Sequence, residues 1–385
     1  MTELKVDNIT NLAGSGKPNL PVAPTVGSNA AISTLNTHSY TSSGTEPSSP
    51  KNGALWWDSA NDKVKVYIDS EFKEIELNAS AAAAFTWGGD RGVFASGYAS
   101  GTYRNTIDYI NITSAGNATD FGDTAETRNG ARATGSSTRF VTGTGYTGSG
   151  YSQNLDYITT ATTGNASDFG DHTHTGISGL NHGIVSSGTR GLFAGGYSSS
   201  LSARVNIIMY ITIANTGNTT DFGDLTVSLN NTAGAGDGSR GLFGGGQNAS
   251  FALEATISYV TIDTTGNATD FGDLTLARKE GSAAADTTRS LFLGGSTSTA
   301  AQGTVIDYVT TQTAGNATDF GDLLSYRFDG AASSNGTKAV MTGYYAGATS
   351  NVIEQVTIQT AGNATDFGDL TLGRTGHAGG SGTAS

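Results

Sequence analysis

Gly266-Asn-Ala-Thr-Asp-Phe-Gly-Asp273 is one of six nearly identical segments in this chain of 385 residues, and its recurrence decides the architecture. The first Asp of each copy is Asp120, Asp168, Asp221, Asp270, Asp319 or Asp366, so copies follow one another roughly every 47 to 53 residues. A fixed period of that length means one supersecondary unit repeated, and it matches the blade of a β-propeller. Upstream of each segment lies a β-branched run, with a tyrosine in five of the six, as in Ile257-Ser-Tyr-Val-Thr-Ile262. Further upstream a basic residue opens an apolar, Gly-rich run, as in Arg240-Gly-Leu-Phe-Gly-Gly-Gly246. Alternation of large with small or polar residues gives these runs the period of two that a strand requires. The Gly-Asn pairs at Gly116, Gly164, Gly217, Gly266, Gly315 and Gly362 predict tight hairpins, since Gly and Asn tolerate positive φ.

The two ends complement each other. Arg91 opens a basic-led run with no Asp-Phe-Gly-Asp segment before it, while the last such segment, from Asp366, has no basic-led run after it. The stretch from Asp366 to Gly382 is therefore expected to supply the strand missing from the blade begun at Arg91, closing a ring and protecting its sheet edges. The predicted fold is all-β, a six-bladed kelch-like propeller over 91–385, preceded by an extended anchoring arm (1–50), a small β-meander (51–78) and a linker (79–90).

Composition agrees with that division. All five prolines, from Pro18 to Pro50, precede the repeats, which suits strands that are mutually hydrogen-bonded. Ser28 to Pro50 is too polar to fold alone. Lys51-Asn-Gly-Ala-Leu-Trp-Trp-Asp58, Lys63 to Asp69 and Phe72 to Leu77 predict a three-stranded sheet with Trp56 or Trp57 and Tyr67 on its apolar face, marginal unless something covers that face. A net charge of −13 disfavours nucleic acid as partner and favours solubility. The chain has no cysteine, and so no disulfide, thiolate chemistry or Cys-based zinc site. No run approaches a membrane span and the N-terminus has no apolar signal core, so no membrane insertion or secretory export is expected.

Two resemblances enter on particular residues. Leu4-Lys-Val-Asp-Asn-Ile-Thr-Asn-Leu-Ala-Gly-Ser-Gly-Lys-Pro18 resembles the N-terminal arm of tail-fibre and virion appendage proteins of bacteriophages, marine and cyanobacterial phages in particular. Asn52 to Ile75 is similar to a small module of phage structural proteins. The resemblance implies a virion structural protein of tail-fibre or appendage type. Its arm would attach to other phage structural proteins through Leu4, Val6, Ile9, Trp56 and Trp57, and a trimer is expected. Such a protein is assembled in the host cytoplasm and located at the tail, neck or head surface; capsid decoration, a neck fibre and a soluble lectin-like module are the alternatives. The repeats resemble kelch propellers through Gly195-Gly196, Gly244-Gly245 and Gly294-Gly295 and the tyrosines Tyr109, Tyr157, Tyr210, Tyr259 and Tyr308, with Phe standing where kelch repeats have Trp.

The kelch resemblance implies that loops joining the second to the third strand share one face with the connections between blades, and that this face binds partners. The loops are 95–106, 145–154, 196–205, 247–256 and 344–351. They vary while the strands agree, as in a scaffold presenting a tuned surface. Tyr98, Tyr103, Tyr146, Tyr151, Tyr197, Tyr344 and Tyr345 lie in or beside them, and tyrosine can stack on a sugar ring while its hydroxyl hydrogen-bonds, so a host surface glycan or protein is the expected ligand.

The repeated Asp pairs invite calcium, but six regular copies are better explained by each Asp meeting a neighbouring backbone amide or the basic series Arg91, Arg139, Arg190, Arg240, Arg289 and Lys338. His172 and His174, two apart, would point the same way on a strand and suggest a transition-metal site; exposed loop histidines are the plainer reading. No nucleophile, base and oxyanion constellation can be assembled, so neither catalysis nor a cofactor is expected.

Overall fold

In a computed structural model the described residues are 88–384 except 174–176, 179–182, 298–302 and 344–348. Ahead of them are 45–50, 54–58, 63–68, 70–74 and four two-residue strands and one four-residue strand in the arm. The chain divides into two compact units, Met1–Ala84 and Phe85–Ser385. Leu4, Val6 and Ile9 lie outside the described residues.

In the first unit the expected three-stranded meander has a fourth strand. Tyr40–Ser43, which composition assigns to an unfolding polar tract, pairs in parallel with Leu55–Asp58; Lys63–Ile68 and Glu71–Glu74 complete the sheet antiparallel. A polar strand suits an edge, where one face need not be buried. Trp56 is buried and meets Phe72 edge-on with ring centroids 5.2 Å apart, while Lys65 Nζ lies 4.6 Å above the indole and binds Asp58 at 2.9 Å. Trp56 thus packs within its own sheet; the Trp57 side chain is outside the described residues.

The second unit is a six-bladed β-propeller, and no helix occurs among its described residues. Each blade is a four-stranded antiparallel sheet. Blade II shows the plan: Arg132–Gly135 innermost, then Arg139–Gly143, Asn154–Thr159 and Ser167–Asp171 outermost. Blades III to VI repeat it in sequence. Blade I is composite: its inner strand is the C-terminal Ala378–Gly382, paired with Arg91–Ala99 in the register Ala378↔Ala95 to Gly382↔Arg91. The ring closes as expected, though Thr365–Asp369 remains the outer strand of blade VI and only the terminal part of the stretch from Asp366 crosses the seam.

The Asp-Phe-Gly-Asp segment is the outer strand, and each residue of it has a mechanical role. Phe is the extra residue of a β-bulge in every blade; in blade II the register passes from Leu155↔Gly170 to Asp156↔Asp168, skipping Phe169. The bulge turns the ring inward, where all six phenylalanines are buried. The glycine clears space: a Cβ on Gly122, Gly170, Gly223, Gly272, Gly321 or Gly368 would land on the carbonyl of the next blade's Gly-Asn turn. That turn lies along the strand, its Gly N–H donating to the Phe carbonyl at 2.7–2.8 Å and the N–H two residues on donating to the second Asp carbonyl at 2.7–2.9 Å. The Asn Oδ1 accepts from that Asp's own N–H at 2.9–3.1 Å, at Asn165, Asn218, Asn267, Asn316, Asn363 and, across the seam, Asn117. So the Asn is chosen for its side chain, and each outer edge is covered by the following blade.

The Asp side chains do not meet the basic series. The first Asp of every copy is exposed. Arg91, Arg139, Arg190, Arg240, Arg289 and Lys338 instead donate to turn carbonyls of the next blade at 2.7–3.2 Å, Lys338 reaching Thr113 to close the circle. The five arginines also stack 4.3–4.7 Å above Tyr109, Tyr157, Tyr210, Tyr259 and Tyr308, which meet the bulged Phe edge-on at 5.9–6.2 Å. A carbonyl suits this guanidinium because its face is already held by an aromatic ring.

A second arginine series, not singled out in the sequence, is buried between blades. Arg128 pairs with Asp156 at 2.7 Å, Arg278 with Asp307 at 2.9 Å, Arg374 with Asp108 at 2.6 Å, and Arg327 with Glu354. Where blade IV has Ser258 at the acid position, Leu229 replaces the arginine, and Ser258 meets Thr226 Oγ1 at 2.6 Å. Both partners change together because either charge alone would be stranded in a dry interface. Burial pulls the Arg128, Arg278 and Arg374 guanidinium pKa values down and the Asp156 carboxyl up, with the ion pairs opposing it.

Candidate functional site

The face carrying the second-to-third loops and the blade-to-blade connections, here the upper face, holds an aromatic row. In blade I the predicted loop 95–106 is mostly strand: Arg91–Ala99 and Thr102–Asn111 continue upward to a tip at Ser100-Gly101, with Tyr98 and Tyr103 as cross-strand partners. Their ring centroids are 5.2 Å apart; Tyr103 to Tyr146 is 5.8 Å and Tyr146 to Tyr151 is 5.0 Å. Four of the predicted tyrosines thus form one row crossing from blade I to blade II.

The blade II loop is built to hold its half. Ser152 N–H donates to the Gly145 carbonyl at 2.8 Å and Thr147 N–H to Gly150 at 2.9 Å. Gly148 lies under the Tyr103 ring, where a Cβ would collide with Cε2. Glu126 ties the base by accepting from Ser152 Oγ and Asn154 Nδ2, both at 2.6 Å. Tyr98, Tyr103 and Tyr146 are half-buried and Tyr151 is exposed. Its phenol pKa is raised, by burial first and then by the neighbouring Tyr146 and Tyr197 phenols, so the hydroxyl stays protonated and able to donate.

Tyr197 carries the row into blade III, in the short strand Tyr197–Ser198 paired with Ala203–Arg204. Two further side chains, which the sequence reading passed over, extend it. Leu201 is 63% exposed at that hairpin's tip and Phe251 is 72% exposed at the tip of the blade IV loop, with Arg204 4.2 Å above the Phe251 ring. Arg204 is fixed by Nε to Asn230 Oδ1 at 2.8 Å and Nη2 to Gln247 Oε1 at 2.7 Å. Both are thus large apolar groups held in solvent, Phe251 beside an ordered arginine. Tyr344 and Tyr345 lie outside the described residues.

Beside this arc opens the central channel. Its mouth is ringed by Gly130, Asn231, Glu280, Asp329 and Gly376, one from each of five blades, all with φ between 51° and 74°. Their backbones join head to tail: Glu280 N–H to Asn231, Asp329 to Glu280, Gly376 to Asp329 and Gly130 to Gly376, at 2.7–2.8 Å. Asn, Glu and Asp in this conformation carry strain that glycine would not. Arg132 reaches Asp329 at 3.5 Å and Lys279 reaches Glu280 at 3.2 Å. The Asp329 carboxyl is pushed up to about 6, by burial against the opposing pull of Arg132, with Glu280 adding to the rise.

Below the ring is a cavity of about 150 Å³ walled by the small residues of the inner strands. His377 and Ser282 lie in its wall, both buried, and neither the His377 ring nitrogens nor Ser282 Oγ has a hydrogen-bond partner among the described residues; the His377 ring packs edge-on to Phe94 at 6.2 Å and against Gly343. Burial, then the Arg374 and Arg132 charges, lowers the His377 pKa well below the ordinary value and keeps the imidazole neutral.

His172 is not an exposed loop residue: it is buried and meets Phe193 edge-on at 6.0 Å. His174 lies outside the described residues, among which no group of three or more His, Cys, Asp or Glu side chains could hold a metal ion. No described helix is long and apolar enough to cross a membrane. The chain matches no known protein-family model, and no curated protein is similar to it.

Proposed function

We propose that the propeller is a binding head that captures a carbohydrate along its upper face without catalysing a reaction, and that the N-terminal arm fixes this head to a phage particle as a tail-fibre or appendage protein. The observation that carries the binding half is the row Tyr98, Tyr103, Tyr146 and Tyr151, with centroid spacings of 5.0–5.8 Å. Aromatic rings pinned by strand pairing and turn hydrogen bonds lose little freedom on binding, and their hydroxyls add orientation. The charge of −13 disfavours anionic partners and leaves neutral saccharides as the better match. The virion half is supported by the resemblance of Leu4 to Pro18 to phage appendage arms.

Two measurements test the halves separately. Retention of the full chain on immobilised neutral polysaccharides from bacterial surfaces should fall at least about tenfold in Tyr103→Ala and Tyr151→Ala, the loss of one stacking contact being worth about 1.4 kcal/mol. Retention equal to that of the intact protein would remove the tyrosine row from the reading. Serum against the propeller should label particles in a phage lysate at discrete tail or neck positions. Uniform head labelling would make the protein a decoration, and protein found only free of particles would leave a soluble lectin-like module.

A further inference from the structure

On the upper face Arg204 is fixed in place, yet its charge is not neutralised. The buried arginines pair with carboxylates, as Arg278 does with Asp307, whereas half-buried Arg204 makes no ion pair among the described residues. Its Nε donates to Asn230 Oδ1 at 2.8 Å and its Nη2 to Gln247 Oε1 at 2.7 Å, both neutral amides, so one edge of the guanidinium fork is used. Nη1 has no hydrogen-bond partner among the described residues and is not a buried atom, which leaves the outer edge of the fork open to solvent. Glu254, the acid of the adjoining loop, is held by Asn248 Nδ2 at 2.5 Å. The ring beside Arg204 is strained as well as exposed. Phe251 has φ of 63°, a left-handed conformation that is costly for a bulky residue. Hydrogen bonds fix it there: Phe251 N–H donates to the Asn248 carbonyl at 3.0 Å, and Gln247 Nε2 donates to the Phe251 carbonyl at 2.9 Å while Gln247 Oε1 accepts from Arg204. One glutamine amide thus ties the guanidinium to the ring it stacks on. Backbone strain of this kind is found at ligand clamps, where rigid presentation matters more than local stability.

We propose that Arg204 and Phe251 form a subsite for one carboxylate-bearing sugar unit within an otherwise neutral saccharide, the carboxylate meeting the open edge of the guanidinium and the C–H face of the sugar meeting the Phe251 ring. The inference rests on the carbohydrate reading above and adds to it the chemistry of one unit. A guanidinium presents parallel N–H donors that match the two oxygens of a carboxylate, and a fork already oriented by two side-chain amides loses little freedom when it binds. The ring face turned from Arg204 is free to pack on the apolar side of the sugar. Continuity with the tyrosine row is built into the blade III hairpin: Tyr197 is the cross-strand partner of Arg204, and its phenol neighbours that of Tyr151 at the end of the row. The net charge of −13 sets how densely acidic the ligand is. It opposes a polymer charged at every unit, but that opposition is screened over about 8 Å at physiological ionic strength, whereas a carboxylate in contact with Arg204 is not screened from it. An isolated acidic unit among neutral ones satisfies both conditions.

The test is saturation-transfer NMR titration of the full chain with paired methyl glycosides, glucuronate against glucose, galacturonate against galactose and mannuronate against mannose, set beside polysaccharide retention. The members of a pair differ only in carrying a carboxylate or a hydroxymethyl group. At least one uronate should bind about tenfold more tightly than its neutral parent. Arg204→Gln should abolish that preference, and Arg204→Lys, which keeps the charge without the fork, should restore only part of it. Phe251→Gly removes the ring without straining the backbone and should weaken acid and parent alike by about threefold. Tyr103→Ala should leave the uronate preference within about twofold while lowering polysaccharide retention, so the subsite and the row fail separately. No uronate preferred over its parent, or a preference that survives Arg204→Gln, overturns the subsite; polysaccharide retention that still needs Tyr103 would then leave the tyrosine reading standing without it. A uronate preference lost in Arg204→Gln, with retention indifferent to Tyr103→Ala, would keep the subsite and remove the row. Poly-L-glutamate bound through Arg204 more tightly than any uronate would also overturn the proposal, by assigning the arginine to an acidic protein partner.

Discussion

Gly272 lies where the carbonyl of Gly315 from the next blade comes down on the outer strand, and five other glycines repeat the arrangement. Gly272→Ala should therefore destabilise the propeller by about 1–3 kcal/mol by denaturant unfolding; an unmoved midpoint would mean the turn can retreat at no cost. The buried ion pairs allow a sharper test. Arg278→Leu alone strands Asp307 and should cost about 3–5 kcal/mol, while Arg278→Leu with Asp307→Ser reproduces blade IV's Leu229 and Ser258 and should recover most of the loss. A double-mutant cycle with purely additive effects would contradict that coupling. At Asp329 the folded pKa, about 6, lies above the ordinary value of 3.8, so the native state holds its proton more tightly than the unfolded chain. That contribution to stability is present in full below about pH 4 and is lost as pH rises through 6. Asp329→Asn should flatten this part of the stability profile, and a profile of unchanged slope would show that the carboxyl titrates normally.

At the scale of the strand, blade VI departs from the pattern: Lys338 and Gln355 stand where the other blades stack Arg on Tyr. Lys338→Arg with Gln355→Tyr should add about 0.5–1 kcal/mol to stability, and a neutral result would show that the stack does not contribute. This scale also separates what the sequence disclosed from what it withheld. Periodicity and the repeated tetrapeptide disclosed the blade, and variable loops rich in tyrosine disclosed the row, because tyrosine is unusual in exposed loops. Arg204, Leu201 and Phe251 went unread because one arginine and two apolar residues in polar loops follow no period. The mouth was hidden for another reason. Asn231, Glu280 and Asp329 are polar residues on the left-handed backbone where Gly130 and Gly376 occur elsewhere, and two glycines with three unlike polar residues show no motif until the ring brings them together. The Asp–Arg pairing, one of the two explanations offered for the regular Asp series, failed because regularity shows only that each series has a constant neighbour. Here that neighbour is a backbone carbonyl for the arginines and, for the second Asp N–H, an asparagine.

At the scale of the whole ring, closure rests on the last residues described. Ala378–Gly382 supplies the inner strand of blade I, Arg374 crosses the seam to Asp108, Thr375 pairs with Tyr98, and Thr383 N–H donates to the Ser137 carbonyl of blade II. A propeller is quasi-circular, so one missing inner strand exposes an edge on blade I and removes a wall of the channel. Deleting Thr375 to Ser385 should therefore lower the melting temperature sharply and broaden the transition, whereas deleting Ala384 and Ser385 should leave both unchanged. An unchanged melt in the longer deletion would show that the terminal strand does not close the ring. The same deletion connects stability to recognition, since it takes away Thr375, the backbone partner of Tyr98. If the tyrosine row is the site, saccharide retention should be lost at temperatures where the truncated ring is still folded; retention that persists until the truncated protein unfolds would place the ligand away from the seam, on blades III and IV beside Arg204 and Phe251.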